Sequence, residues 1–294
     1  MTAKIIDGNA VARHVRAQWK ARVEALKVRG TTPGLAVIIV GDNPGSKVYV
    51  RNKVKACAEV GLHSETHEFG ADTVEQPVIQ RIEELNRDPR IHGILVQLPL
   101  PSHLEVRRLL GAISIEKDVD GFHLYNVGGL VVGENNIFPP CTPYGVQCLL
   151  EYENIPIEGQ NVVVVGASNI VGKPMALMLM AKDATVSICH IKTRDLAQYT
   201  ILADILIVAA GCPGLITAPM VKRGAAVIDV GINRLPDGRL AGDVDFDSVK
   251  EKASYITPVP GGVGPMTVTM LICNTVAAAE RNANKNAAQS SVSA

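Results

Sequence analysis

Asn161-Val162-Val163-Val164-Val165 runs directly into Gly166-Ala167-Ser168-Asn169-Ile170-Val171-Gly172-Lys173-Pro174, and an apolar stretch follows to about Met180. Four consecutive valines closed by glycine read as a strand buried on both faces, as in the middle of a parallel sheet. A glycine-bracketed turn between such a strand and a helix suits a nucleotide pyrophosphate. Backbone N–H groups converge at the helix N-terminus, and a missing Cβ lets the chain approach the phosphates. In this reading Gly166 makes the tight turn, Ser168 offers a hydroxyl donor and Gly172 leaves room for close approach. Glycine turns before helices are common, so the motif takes its meaning from the strand before it and the helix after it.

The same rhythm continues outward. Strands are predicted at 185–189, 205–209 and 226–230, separated by helical stretches, as in a dinucleotide-binding half. Towards the N-terminus, residues 35–40 read as a buried strand ending at Gly41. A helix capped by Ser46 then runs to about Val60, with Gly61 as its stop. A strand at 62–69, a helix to about Asn86 opened by a Thr73/Gln76 capping box, and a strand at 91–98 complete that half. The last strand stops at Pro99-Leu100-Pro101, because proline cannot continue a central ladder. Residues 111–140 read as loops, and a helix with Thr142 as cap and Pro143 in its first turn runs to about Tyr152. A long helix over 266–281 is expected to pack back on the first half. The fold class is therefore α/β: two α/β domains with a cleft between them, the second Rossmann-like. The expected bounds are 1–140 together with helix 266–281, then 141–265, with 282–294 as a flexible tail.

Composition agrees with this and excludes other classes. The 294 residues are 47% hydrophobic and include 26 glycines, so the chain can bury a sizeable core. Lys plus Arg and Asp plus Glu are 29 each, a balance that argues against a broad nucleic-acid surface. No apolar run approaches the roughly 18–20 residues that span a bilayer. Met1–Gly8 lacks the apolar core of a secretory signal, and a cytoplasmic protein is the expectation. The six cysteines form no C-x-x-C pair and read as buried thiols. His63 and His67 could share a strand face, but no third ligand completes a site, so no metal is expected.

Two further groups of residues carry chemistry. After the second strand of the nucleotide half comes His190-Ile191-Lys192-Thr193-Arg194, with no acid until Asp195. NAD-binding folds usually place a carboxylate there for the ribose hydroxyls, so a basic turn favours NADP. Alternatively, Lys192 and Arg194 are ordinary surface cations. In the first half, Tyr49 and Lys53 are spaced i, i+4 and share a helix face. A lysine works as an acid or base only when its pKa falls well below about 10.4, which a partly dry cleft and hydrogen-bonding neighbours can achieve. Gln97, in Val96-Gln97-Leu98-Pro99-Leu100, is an unusual amide at the end of an apolar strand. Asp118 or Asp120, in Lys117-Asp118-Val119-Asp120-Gly121, could accept a forked pair of N–H bonds from an aminopyrimidine edge. Each alone is equally a helix pair, a strand cap or a turn. The stiff Pro258-Val259-Pro260-Gly261-Gly262-Val263-Gly264-Pro265-Met266-Thr267 loop suits packing against a flat ring or a tight interdomain turn.

Together these segments resemble the bifunctional methylenetetrahydrofolate dehydrogenase/methenyltetrahydrofolate cyclohydrolase family. The likeness covers about Ile5 to Arg281, and Gln97–Leu100 and Pro260–Thr267 are its most specific carriers. It implies a folate domain, an NADP domain and a homodimer. By this resemblance Lys53 is the cyclohydrolase acid/base, Tyr49 its neighbour and Gln97 the group that orients it. Asp120 holds the pterin edge, and Val96, Leu98, Pro260, Gly261, Gly262 and Val263 line the folate site. Gly166, Ala167, Ser168, Ile191, Lys192 and Ile232 contact the dinucleotide. Many members carry arginine and serine where Ala167 and Ile191 stand here, so Lys192 or Arg194 is expected to compensate. The implied partners are tetrahydrofolate derivatives, with neither nucleic acid nor membrane. A dehydrogenase of the shikimate or amino-acid type, or a non-catalytic nucleotide-binding module, would share the Rossmann half but would not need Q-L-P-L or P-G-G-V-G-P-M-T.

Overall fold

Continuous β-branched runs force strands that must be covered on both faces, and the chain places them in two parallel sheets. A computed structural model describes residues 2–134 and 136–292. In chain order, β1 (Lys4–Ile5) and α1 (Gly8–Val28) precede β2 (Gly34–Val40), α2 (Pro44–Val60), β3 (His63–Phe69), α3 (Glu75–Arg87) and β4 (Gly93–Val96). Short helices α4 (Val106–Gly111) and α5 (Leu124–Val132) lead to α6 (Cys141–Tyr152). Next come β5 (Asn161–Val165), α7 (Gly172–Met180), β6 (Thr185–Cys189), α8 (Leu196–Thr200), β7 (Ile205–Val208) and β8 (Ala226–Asp229). A small hairpin, β9 (Asn233–Arg234) and β10 (Leu240–Ala241), then α9 (Phe246–Val249) and β11 (Tyr255–Ile256), precede the last helix, α10 (Val263–Val292).

The chain divides into two compact units. One comprises Met1–Arg13, Leu130–Glu134 and Pro140–Thr267; the other comprises His14–Gly129, Asn135–Pro139 and Val268–Ala294. The first holds a six-stranded sheet in the order β1-β11-β8-β7-β5-β6, parallel throughout. Its core includes Val163, Val165, Leu206, Val208, Val227 and Ile256. The second holds a parallel three-stranded sheet, β3-β2-β4, with Ile38, Ile82, Ile94 and Leu109 in its core.

Several local expectations give way to longer-range contacts. Residues 1–13 join the six-stranded sheet rather than the first half, because β1 pairs with β11 across some 250 positions of sequence. The cap of α2 is Asn43, whose Oδ1 accepts the Ser46 N–H at 3.1 Å, so Ser46 lies inside the helix. Gly61 does close it, in the left-handed region at φ 83°. α3 starts at Glu75 with no side-chain cap; the Glu75 carboxylate instead accepts the Glu105 N–H and pairs with Arg108. α6 begins at Cys141, and Thr142 Oγ1 bonds Thr267 Oγ1 at 3.0 Å instead of capping. Within 111–140, read as loops, Leu124–Val132 is helical because Asp118 gathers the residues at its start. α10 continues past Arg281 to Val292; Ser293 and Ala294, the end of the expected tail, lie outside the described residues.

Candidate active site

Helix α2 carries the first group. Ser46, Tyr49 and Lys53 recur at i, i+3 and i+7 and therefore share one face. Lys53 is 7% exposed, and its Nζ donates to Gln97 Oε1 at 2.9 Å. Gln97 follows β4 immediately. Its backbone N–H extends the ladder to Ile38 O at 2.8 Å, and its Nε2 donates to Leu98 O at 2.6 Å. With the amide nitrogen committed to a carbonyl, the amide oxygen must face the lysine, which fixes the orientation of both groups. A cis Leu98–Pro99 bond turns the chain away directly afterwards. Burial raises the Tyr49 phenol above its ordinary value and pushes the Cys57 thiol, one turn beyond Lys53, up to about 12. Both keep their protons near neutrality, so neither adds a charge beside Lys53.

Ser46 is a member of this group that the sequence reading assigns to a cap. It is 5% exposed, and its Oγ is buried without a hydrogen-bond partner. Its spacing to Tyr49 and Lys53 is the signal that could have found it. The two aspartates separate cleanly. Asp118, 1% exposed, accepts the His123 N–H at 2.7 Å, the Phe122 N–H at 3.3 Å and the Asn126 Nδ2 at 2.7 Å. Its carboxylate is consumed in anchoring α5, whereas Asp120, two residues on, is half-buried. Lys117 likewise serves structure, donating to Leu85 O and Asp88 O at the end of α3.

The phosphate loop lies where the sheet order diverges, with β6 on one side of β5 and β7 on the other. In open parallel sheets the ligand crevice opens there, beyond the strand carboxyl ends. Gly166 has φ 126°, and a Cβ on it would stand 2.2 Å from Ala209 O; a Cβ on Gly172 would stand 1.9 Å from Gly166 O. Neither position tolerates a side chain. Ser168 Oγ accepts the N–H groups of Val171 at 3.1 Å and Gly172 at 3.4 Å. It satisfies donors at the start of α7 that have no helical partner, and its hydroxyl hydrogen is left to point elsewhere. This cradle without Cβ atoms fits a dinucleotide pyrophosphate.

The turn after β6 is crossed by three bonds. His190 N–H donates to Thr193 Oγ1, Lys192 N–H to His190 Nδ1, and Thr193 N–H to His190 O. Lys192 and Arg194 are exposed at an open depression of ≈ 580 Å³ that Ile188, His190, Gln198 and Tyr199 help to line. Ile191 is 97% exposed and offers an anion no polar side-chain atom. Ile232 is exposed after β8, and a Cβ on Gly264 would stand 3.8 Å from its Cδ1. The Pro260-Gly261-Gly262 loop, preceded by a cis Val259–Pro260 bond, abuts the start of α1 so tightly that a Cβ on Gly8 would stand 1.8 Å from Gly262 O. The structure thus joins Lys53 to Gln97 in one unit. It places Gly166–Gly172, Ile232 and Pro260–Val263 in the other. His63 and His67 both approach Glu65, and among the described residues no group of three side chains could hold a metal.

Residues 6–120 match the tetrahydrofolate dehydrogenase/cyclohydrolase catalytic domain, and residues 140–283 match the NAD(P)-binding domain of the same family. The chain belongs to that family. Among its relatives is the bifunctional protein FolD of Nitrosospira multiformis, 67% identical over 281 residues, covering 96% of this chain and 97% of that protein. FolD of Paraburkholderia xenovorans is 60% identical and covers 98% of this chain and 100% of its own. Among solved structures, the bifunctional FolD enzyme of Campylobacter jejuni is 51% identical with a TM-score of 0.94, covering 95% of this chain and 99% of that one. The Trypanosoma brucei methylenetetrahydrofolate dehydrogenase-cyclohydrolase, solved with NADP cofactor and an inhibitor, is 41% identical with a TM-score of 0.92, covering 96% and 99%. In this dehydrogenase/cyclohydrolase chain no helix among the described residues is long and apolar enough to cross a membrane.

Proposed function

We propose that this family member oxidises 5,10-methylenetetrahydrofolate to the 5,10-methenyl cation with NADP, then hydrolyses that cation to 10-formyltetrahydrofolate. The observation that carries the hydrolytic half is the buried Lys53 ammonium held by the oriented Gln97 amide at 2.9 Å. NADP, when bound, supplies the hydride acceptor. Gly166, Ala167, Ser168 and Ile232 would hold it, with the turn at Ile191 and Lys192 beside its adenosine end. Lys192 and Arg194 read the 2′-phosphate in place of the arginine that Ala167 replaces.

Hydride departure needs alignment more than proton transfer, because the cation formed is shared by two nitrogens. Asp120 provides part of that alignment by accepting the pterin's N–H edge. Val96 and Leu98, beside Gln97, supply apolar surface for the ring. Hydrolysis then adds water to the methenyl carbon and breaks one carbon–nitrogen bond. Lys53, as the amine, takes a proton from the attacking water and returns it to the departing nitrogen, and the remaining hydroxyl proton leaves to solvent as the formyl C=O forms. Gln97 keeps Nζ in place, and the protonated Tyr49 phenol and unpartnered Ser46 hydroxyl offer hydrogen bonds along the same helix face. The protein would act as a cytoplasmic homodimer in one-carbon metabolism, including the supply of formyl groups for purine synthesis.

The test follows methenyl absorbance after folate substrate is mixed with NADP, with NAD in parallel. Rise and decay with NADP are expected. No absorbance change with either cofactor would refute the reading, and a rise without decay would refute its hydrolytic half.

A further inference from the structure

Two carboxylates with no part in the chemistry above lie buried at the carboxyl edge of the six-stranded sheet. Asp229 ends β8 at 3% exposure, and Asp243, just after β10, is 0% exposed. A carboxylate removed from water persists only where protein donors replace the lost solvent. Asp243 Oδ2 accepts the N–H groups of Ala210 at 2.7 Å and Gly211 at 2.9 Å. Its Oδ1 accepts those of Cys212 and Asn233 Nδ2, both at 2.8 Å. Asp229 holds Asp243 in turn, accepting its backbone N–H at 3.0 Å and those of Gly231 and Val244 at 2.9 Å. Two glycines leave space for the pair. A Cβ on Gly231 would stand 2.3 Å from Asp243 Cγ, and one on Gly242 would stand 1.9 Å from Asp229 Oδ2.

Three of Asp243's four bonds gather successive amides of the turn directly after β7. That turn begins at Ala209, whose carbonyl packs on Gly166. The fourth holds Asn233, the residue after Ile232. The turn after β7 abuts the phosphate loop, and the Ile232 segment follows β8, the next strand over, at the same edge of the sheet. From this geometry we propose that Asp243 is a positioning residue for the dinucleotide, setting the turn after β7 and the Ile232 segment at the spacing the ligand requires. The inference rests on the NADP reading above.

The test is Asp243→Asn, which keeps the volume but turns an N–H₂ group towards backbone donors. NADP affinity is measured by titration, and KM and kcat of both half-reactions are measured separately. The Kd and KM for NADP are expected to rise about tenfold or more, a loss typical of a charged hydrogen-bond acceptor. The turnover number and methenyl hydrolysis should stay within about twofold, because neither reacting group is touched. Wild-type protein that binds no NADP would refute the functional reading itself. Wild-type binding with an unchanged Kd in folded Asp243→Asn would overturn the positioning role alone. If that variant does not fold, Asn233→Ala decides. Removing one of the four donors should raise the Kd about threefold, and an unchanged Kd overturns the proposal.

Discussion

Replacing Lys53 by methionine separates chemistry from folding. Methionine retains an unbranched stem that can fill the buried space on the α2 face, and it removes the charge together with the 2.9 Å bond to Gln97. The lost charge-assisted bond costs about 1.5–3 kcal/mol, and relief from burying an ammonium offsets part of it. Gln97 is half-buried, so its freed carbonyl can reach water. The net stability change is expected to be about 1 kcal/mol in either direction, small enough to leave a folded enzyme. Methenyl hydrolysis should fall by roughly 10²–10⁴-fold, equal to about 2.7–5.5 kcal/mol of transition-state stabilisation. Decay of methenyl absorbance measures that step, NADPH formation reports the dehydrogenase in the same cuvette, and thermal melting confirms the fold. Gln97→Glu sharpens the test: a carboxylate at that position favours the charged lysine, so hydrolysis should move about one to three pH units higher. A folded Lys53→Met variant that hydrolyses within about tenfold of wild type would remove Lys53 from the acid–base role.

Other outcomes follow from the same geometry. Asp120→Ala should weaken folate binding about tenfold and leave NADP affinity unchanged; separate calorimetric titrations check this, and equal losses would assign Asp120 to folding. Lys192→Ala with Arg194→Ala should lower the NADP-to-NAD efficiency ratio by about tenfold, chiefly through KM, while Ala167→Arg should raise it; an unchanged ratio in the double variant places the 2′-phosphate elsewhere. Burial pushes Asp229 up to about 6, against the amides it accepts. Since an unfolded aspartate titrates near 3.9, the fold holds the extra proton between those values. Its stability contribution is complete below about pH 4 and is lost as pH rises through about 6, by about 3 kcal/mol in all. Denaturant midpoints from pH 4 to pH 7.5 should show that decline in wild type and not in Asp229→Asn, and equal slopes would contradict it.

What the sequence determines here is what short-range periodicity can encode. Four valines closed by Gly166 admit little but a buried strand, and the wide separation of Gly166 from Gly172 marks the close approach of loop to helix. The i, i+4 spacing of Tyr49 and Lys53 places them on one face wherever α2 docks. Which group a side chain finally serves is not a local property. Ser46 and Asn43 are both good caps, and in the folded chain Asn43 takes that place, its Oδ1 accepting the Ser46 N–H. Asp118 and Asp120 are indistinguishable in a turn until α5, unforeseen in a Gly- and Asn-rich stretch, commits the amides of Phe122 and His123 to Asp118. β1 is a two-residue strand with no periodicity to read, and only pairing with Tyr255–Ile256 makes it one. Asp229 and Asp243 look like surface acids in Val-Ile-Asp-Val and Gly-Asp-Val. Tertiary structure alone buries them, because the backbone donors that replace their water come from segments up to 33 residues away.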